Sequence, residues 1–422
     1  MAALVLCALA AFHVLNTAEV PSSDLYATWL AGTFYRAGDL ASIYPVEGEV
    51  FTMRPPAAWV AYDRGLGGTA ALFPFIYPPI WAVLASYLVP LTTFGAVVTV
   101  ATWINAALIA GMLALAWRAA RVRLGFVPFV LIGFIAIHFS LVGFVATLEN
   151  QPQILVSFLM VLTVERLRAG DDRSAGAALA LAAAIKVYPA FFALFFIASR
   201  NWRAVAAFAV VGGGLGLLSI ALAGWPLHAE YLAQLSLISR TVLLTAISYN
   251  VHALIGNLVA LDGFTLVESL RITEPGQDKG GWMVTAKPAP WVMATTLSLI
   301  AAFTVMALAF ARADIGTRSR YIWPIGFAVV TLLSPISWSY YLLPVFAFLP
   351  VLIDRHGPAR GLAVIAILVA PFLTQVVPLY MRVPIAPYPI QFVGTAALAL
   401  IILTFALAAR TPKSAQNAEQ AS

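Results

Sequence analysis

Long apolar runs recur along this chain, near 2–19, 74–92, 94–117, 124–142, 153–168, 174–199, 204–223, 291–311, 321–333, 339–353, 360–378 and 391–409. A helix needs about 20 mostly apolar residues to cross a bilayer. The pattern therefore predicts an all-α protein, a polytopic transmembrane helical bundle of about 10–12 spans. Two long polar stretches interrupt the runs. Residues 20–73 are rich in Gly, Pro, Tyr and Trp, and residues 224–290 carry amphipathic pieces and a Gly/Lys/Asp-rich tip around Gln277–Gly281. The tail after Arg410 is polar and reads as disordered. The expected organisation is one transmembrane domain over 1–410, with outer loops 20–73 and 224–290, and a C-terminal tail over 411–422. No internal repeat of fixed period is visible, and neither a GxxxxGK[ST] nor a GxGxxG phosphate loop occurs.

Composition excludes a soluble reading. Of 422 residues, 62% are hydrophobic and 10% charged, whereas soluble domains carry roughly 25% charged residues. The net charge of +6 gathers in short arginine clusters at the ends of the apolar runs: Arg118/Arg121/Arg123, Arg166/Arg168/Arg173, Arg200/Arg203, Arg312/Arg318/Arg320 and Arg355/Arg360. Such clusters mark cytoplasmic loops, not a nucleic-acid face. Counting back from Arg410 puts 224–290, 334–338 and 379–390 outside, and residues 20–73 on the side opposite the arginines. Two conflicts of parity remain. Arg166–Arg173 and Arg200–Arg203 both read as cytoplasmic with only 174–199 between them, which predicts a broken, re-entrant pair interrupted at Pro189. Residues 74–92 also look as if they cross only halfway. The lone Cys7 excludes an intrachain disulfide or a cysteine metal site. Residues 1–19 lack the basic start and clear cleavage pattern of a signal peptide and read as a first span. That stretch is short, so its helix either runs into residue 20 or begins upstream of Met1.

Polar groups in or beside spans are costly, so each is a candidate for chemistry. Asp24, in the run Ser22-Ser23-Asp24-Leu25-Tyr26, is either a general base at the membrane boundary or part of a helix start. Tyr77-Pro78-Pro79 reads as an ordinary helix opening. Glu149-Asn150-Gln151-Pro152-Gln153 is a polar loop whose amide and carboxylate groups also match sugar hydroxyls. Lys186 stands alone between Ile185 and Val187-Tyr188-Pro189. It either snorkels or neutralises a phosphate, and the neighbouring proline favours a site. Ser334-Pro335-Ile336-Ser337-Trp338-Ser339-Tyr340-Tyr341 and Ser248-Tyr249-Asn250-Val251-His252 fall at the outer rim, where Trp and Tyr also form interface belts. His138 reads as a satisfied core histidine, and Asp171-Asp172 as solvated loop. No His, Cys or carboxylate grouping has metal spacing.

Several of these runs, in order, resemble the bacterial polytopic mannosyltransferases of glycosyltransferase family 87. They are Asp24-Leu25-Tyr26 with Ala31-Gly32, Leu40 to Tyr44, Tyr77-Pro78-Pro79, Asn150-Gln151, Ala182 to Pro189, Ser248-Tyr249-Asn250 and Ser334 to Trp338. The resemblance implies a C-type glycosyltransferase fold, set in the inner (plasma) membrane. It implies transfer of a sugar, usually mannose, from a polyprenyl-phosphate donor to a lipid or glycan hydroxyl on the non-cytoplasmic face, with inversion. Asp24 is then the catalytic base, and Lys186, Arg36 or Arg54 the cation facing the leaving phosphate. The implied substrate-binding residues are Tyr26, Tyr77, Glu149, Asn150, Gln151 and Lys186 in the first half of the chain. Asn250, His252, Ser337, Trp338 and Tyr340 complete the set. No cofactor or metal is implied, and no nucleic-acid partner. The chain departs from the family at four places. Tyr340 and Tyr341 replace a usual His pair, Val251-His252 a usual amide-serine, Asn150 a usual Gly and Gln153 a usual Asn. The resemblance thus leaves His252 as a candidate to replace the missing histidine. The rival expectation is a transporter or lipid flippase, since broken helices and buried polar groups suit a carrier too.

Overall fold

A computed structural model of the chain describes residues 2–17, 21–45, 48–68, 71–245, 247–259, 263–268, 281–376 and 389–410. All but Gly281 of the expected tip around Gln277–Gly281, most of the 379–390 loop and the tail after Arg410 lie outside the described residues. The first half of the chain forms α1 (Ala2–Leu15), α2 (Ser23–Arg36), α3 (Ala57–Gly65), α4 (Ile80–Leu88), α5 (Phe94–Ala120), α6 (Phe126–His138), α7 (Leu141–Leu148), α8 (Gln153–Ala169), α9 (Asp172–Ile185) and α10 (Ala193–Ala198). The second half forms α11 (Trp202–Ala223), α12 (Trp225–Arg240), α13 (Val251–Val259), α14 (Ala289–Arg312), α15 (Ile315–Thr317), α16 (Trp323–Leu333), α17 (Leu343–Phe348), α18 (Val351–His356), α19 (Pro358–Val369) and α20 (Pro389–Arg410). The protein is thus an all-α, multi-pass helical protein. Among the described residues, four helices are long and apolar enough to cross a membrane: Phe94–Ala120, Trp202–Ala223, Ala289–Arg312 and Gln391–Arg410.

One element escaped the hydrophobic pattern. The polar stretch 224–290 holds a small antiparallel sheet in the order β1-β3-β2, built from β1 (Thr241–Leu244), β2 (Thr265–Glu268) and β3 (Gly281–Ala286). Thr241 faces Ala286 across one ladder and Thr265 faces Val284 across the other. Strands of four to six residues are too short to stand out beside twenty-residue apolar runs.

Both parity conflicts resolve in the geometry. Asn201, at the start of α11, donates from Nδ2 to Asp172 Oδ1 at the start of α9 (2.7 Å). The chain between them therefore leaves and returns to one end. α9 climbs to Ile185, Lys186 is extended (φ −135°, ψ 133°), and a 3₁₀ turn over Tyr188–Phe192 leads into the descending α10. The descending leg packs its aromatics densely: Phe192 stacks on Trp323 (5.4 Å between centroids), and Phe195 on Phe310 (4.6 Å). The expected span at 74–92 reduces to α4, nine residues or about 14 Å of helix, far short of a bilayer. It stays level with α2, because Phe94 after it packs on Tyr26 and Trp29.

The arginine clusters gather at one end of the bundle. Arg320 donates from Nε to Ala120 O and from a terminal nitrogen to Arg121 O (2.6 and 2.7 Å). Arg118 pairs with Glu165 (2.9 Å), and Arg123 N donates to Asp354 Oδ1 (2.8 Å). The two long polar stretches meet at the other end. Tyr35 of α2 donates to Leu222 O, Gln234 of α12 to Pro45 O, and Trp282 of β3 to Thr52 O.

Candidate active site

Where the two polar stretches meet the broken helix there is a cavity of about 440 Å³, within the usual range of small-molecule sites. Most of its wall is apolar, with Phe51, Met53, Phe73 and Ile76 from the chain between α2 and α4, Leu235 and Ile238 from α12, and Phe191 and Leu299 nearer the bundle. The polar groups converging on it are Asp24, Tyr77, Glu149, Gln151, Lys186, Tyr188, Tyr231, Tyr340 and Tyr341. Ser334, Pro335, Ile336 and Trp338 close one side. The carboxylate at position 24 and the Ser-Pro-Trp run three hundred residues later thus share one chamber.

Three contacts hold Asp24 in place. The start of α2 is stapled to the turn between α7 and α8. Ser22 N donates to Leu148 O (3.0 Å), Ser23 N to Glu149 Oε2 (2.9 Å), and Asn150 Nδ2 to Ser22 Oγ (2.8 Å). The rest of α2 lies tight on α4: a Cβ added at Gly32 would stand 2.6 Å from that of Ala85. Glycine at 32 is what lets the two helices approach. Asp24 precedes this contact by two turns. α2 lies outside the membrane-crossing helices, and burial pushes the Asp24 carboxyl above the usual carboxylate range. Glu149 adds to that rise, and Lys186 opposes it.

Lys186 sits in an aromatic cage. Its ammonium lies 4.9, 5.1 and 5.7 Å from the ring centroids of Tyr341, Tyr340 and Tyr77, within cation–π range. Tyr340 and Tyr341 stack on each other (5.6 Å, 23°), and Tyr341 also leans on Tyr188. Gln153 Nε2 donates to Tyr188 Oη (2.7 Å), and Tyr77 Oη donates to Gln151 Oε1 (3.4 Å). Tyr44 Oη donates to Tyr77 O (2.7 Å), which anchors the backbone beside the cage. Trp81 Nε1 donates to Ala184 O (3.1 Å), two residues before Lys186. Of the three cations proposed for a phosphate, only Lys186 lines the cavity; Arg36 and Arg54 do not.

The cavity wall holds Asp24, Tyr77, Glu149, Gln151, Lys186, Trp338 and Tyr340 from the predicted set, and leaves out the other five. Tyr26 points elsewhere, donating to Asp63 Oδ1 (2.8 Å). Asn250 caps α13 through Ala253 N (2.7 Å) and reaches Ser248 and Ser337. Ser337 donates to Tyr249 O (3.4 Å), so this pair ties the 248–250 and 334–338 segments together behind the wall. His252 accepts from Trp291 Nε1 at Nδ1 (3.1 Å) and donates from Nε2 to Leu333 O (3.2 Å). Both ring nitrogens are used, and burial with nearby Lys287 lowers its pKa to about 4. His252→Ala is expected to keep sugar-transfer turnover near the parent's while lowering the melting temperature in detergent; a loss of turnover with an unchanged melting temperature would reverse that assignment.

Asn150 explains one departure from the family pattern. Its φ is +45°, in the left-handed region where Gly is easiest and Asn the commonest alternative. Its side chain also receives Asn105 Nδ2 (2.8 Å) and donates to Ser22 and Thr102. Asn150→Ala combines a left-handed Ala with buried partners left unpaired, and should cost about 2–4 kcal/mol. Thermal unfolding of the purified variant measures this.

The chain matches glycosyltransferase family 87 over residues 75–335, more than half its length. It belongs to glycosyltransferase family 87. A comparison with curated proteins finds no match. The family match covers Tyr77, Glu149, Gln151 and Lys186 but begins after Asp24 and ends before Trp338. In this family 87 member, therefore, the carboxylate's place beside the matched residues comes from geometry. Tyr188, Tyr231 and Tyr341 were not in the predicted set. Tyr188 and Tyr341 lie within runs the sequence singles out, so a search for aromatics beside a lone buried lysine would have found them.

Proposed function

We propose that this glycosyltransferase takes a sugar, mannose in the first instance, from a polyprenyl-phosphate donor. It passes the sugar to a lipid or glycan hydroxyl at the non-cytoplasmic face of the plasma membrane. The observation that carries this reading is a carboxylate and an ammonium facing one largely apolar chamber at the end of the bundle opposite the arginine clusters. The apolar wall suits the first units of a prenyl chain. Lys186, held by its tyrosine cage, meets the phosphate. Asp24 takes the proton of the acceptor hydroxyl as its oxygen attacks the anomeric carbon from the face opposite the phosphate. The bond to phosphate oxygen breaks with inversion, and Lys186 stabilises the departing anion. Gln151 and Glu149 line the same wall, and their side-chain oxygens suit sugar hydroxyls as acceptors.

Transfer of labelled mannose from synthetic polyprenyl-phosphate mannose, in detergent, tests the proposal. Uptake into liposomes without transfer would favour the transporter instead, and a panel of other polyprenyl-phosphate sugars fixes the donor. The pH profile gives a further check. A base works ionised, so activity falls as pH drops through its pKa. Because the Asp24 carboxyl is raised, the acid limb of kcat/KM should lie well above the ordinary carboxylate value of about 4. A profile flat from about pH 5 to 9 would remove Asp24 from that role.

A further inference from the structure

At the arginine-rich end of the bundle, far from the Asp24 chamber, the last turns of α5 and α8 enclose a second cavity of about 260 Å³. Trp117, Val122 and Ala169 supply its apolar wall, and Arg118, Arg121, Arg168 and Glu165 its charge. Glu165 is already engaged. It is 3% exposed and pairs with Arg118 at 2.9 Å and Arg166 at 2.5 Å. The guanidinium groups of Arg121 and Arg168 make no hydrogen bond or ion pair among the described residues, and Nε of Arg168 is buried without an acceptor. Arg168 is also pressed by the like charges of Arg121 and Arg320. Asp314 is the one carboxylate that opposes them, and it is already bonded by Gly316 N, Thr317 N and the Thr317 hydroxyl.

The positive-inside tendency explains why arginines collect at this end. It does not explain why two of them face a cavity with a donor left unmade, since buried donors are normally satisfied. Guanidinium forks match phosphate oxygens in pairs. The depth fits too. Trp117 donates to Leu124 O (3.0 Å) and packs edge-on against Phe126, as aromatics do at the headgroup level. We propose that this pocket binds a phosphate group through Arg121 and Arg168, carried either by the headgroup of an anionic phospholipid or by free inorganic phosphate.

The test uses the full chain in detergent, incubated with phosphatidylglycerol, with phosphatidylcholine or with inorganic phosphate. Bound lipid is counted by native mass spectrometry, and protection is read from thermal unfolding. The parent should retain phosphatidylglycerol over phosphatidylcholine. The double variant Arg121→Gln/Arg168→Gln should weaken that retention roughly 10–30-fold. A control, Arg203→Gln/Arg360→Gln, removes the same charge at the same end and should bind like the parent. If the double variant does not fold, Arg121→Gln alone carries the test, since Arg121 is exposed. Protection by inorganic phosphate alone, lost in the double variant, would name free phosphate as the occupant and keep the site. Equal binding by parent and double variant, or equal loss in the control, would overturn the proposal.

Discussion

Asp24→Asn is expected to lower sugar transfer by about 10²–10⁴-fold, the range a positioned general base contributes. The substitution keeps the size and planarity of the side chain. The staples that hold the start of α2 come from Ser22 and Ser23 and from Leu148, Glu149 and Asn150, and none of them uses the Asp24 carboxylate. The fold should therefore survive, with a melting temperature near the parent's. Donor binding should persist as well. Lys186 would no longer share its charge with the Asp24 carboxylate, so its attraction to a donor phosphate would hold or strengthen. Labelled-mannose transfer gives turnover, and competition with a non-transferable donor gives affinity. Turnover close to the parent's, in a folded protein, rejects Asp24 as base. Lost turnover with lost donor binding moves its role from proton transfer to assembly of the site.

Much of the bundle was legible because a membrane imposes a coarse rule. A helix in lipid must satisfy its own backbone, so runs of apolar residues mark helices almost regardless of tertiary contacts. The break at 186–189 was legible for the same reason: proline and a lone lysine inside an apolar run need a special environment, and the Asn201–Asp172 contact bears the break out. The β1-β3-β2 sheet was not legible. Its three strands pair across stretches of chain distant in sequence, and four residues alternate too briefly to announce a strand.

The site divides in the same way. Asp24 and Lys186 stood out because charges are rare in this chain. Asn250, His252 and Ser337 stood out equally, yet they spend their hydrogen bonds on the loops behind the wall. Sequence shows that a polar group sits at the rim, but it does not show which way the group faces. Tyr77 and Tyr340 were expected in the site, but Tyr188, Tyr231 and Tyr341 were hidden for the opposite reason: aromatics at a membrane rim are ordinary. Only the coordinates show three of them converging on one ammonium.

That convergence makes the second large effect predictable. Lys186→Gln keeps hydrogen-bonding capacity and most of the length, but removes the charge that would meet the leaving phosphate. Loss of one electrostatic group at a developing anion typically costs about 10²–10³ in kcat. Here KM for the donor should rise too, because the phosphate is charged before as well as during transfer. The cage offers a graded companion. Tyr341→Phe keeps the aromatic face over Lys186 and should behave nearly like the parent. Tyr341→Leu removes one wall of the cage, worth about 0.5–2 kcal/mol, and should weaken donor use by roughly 2–30-fold. If Phe and Leu at position 341 are equally impaired, the hydroxyl and not the ring face matters there, and Tyr341 acts as a hydrogen-bond donor to the substrate. If Lys186→Gln keeps full kcat while Asp24→Asn is inactive, the chamber holds its base without its phosphate cation, and stabilisation of the leaving group must come from elsewhere on the wall.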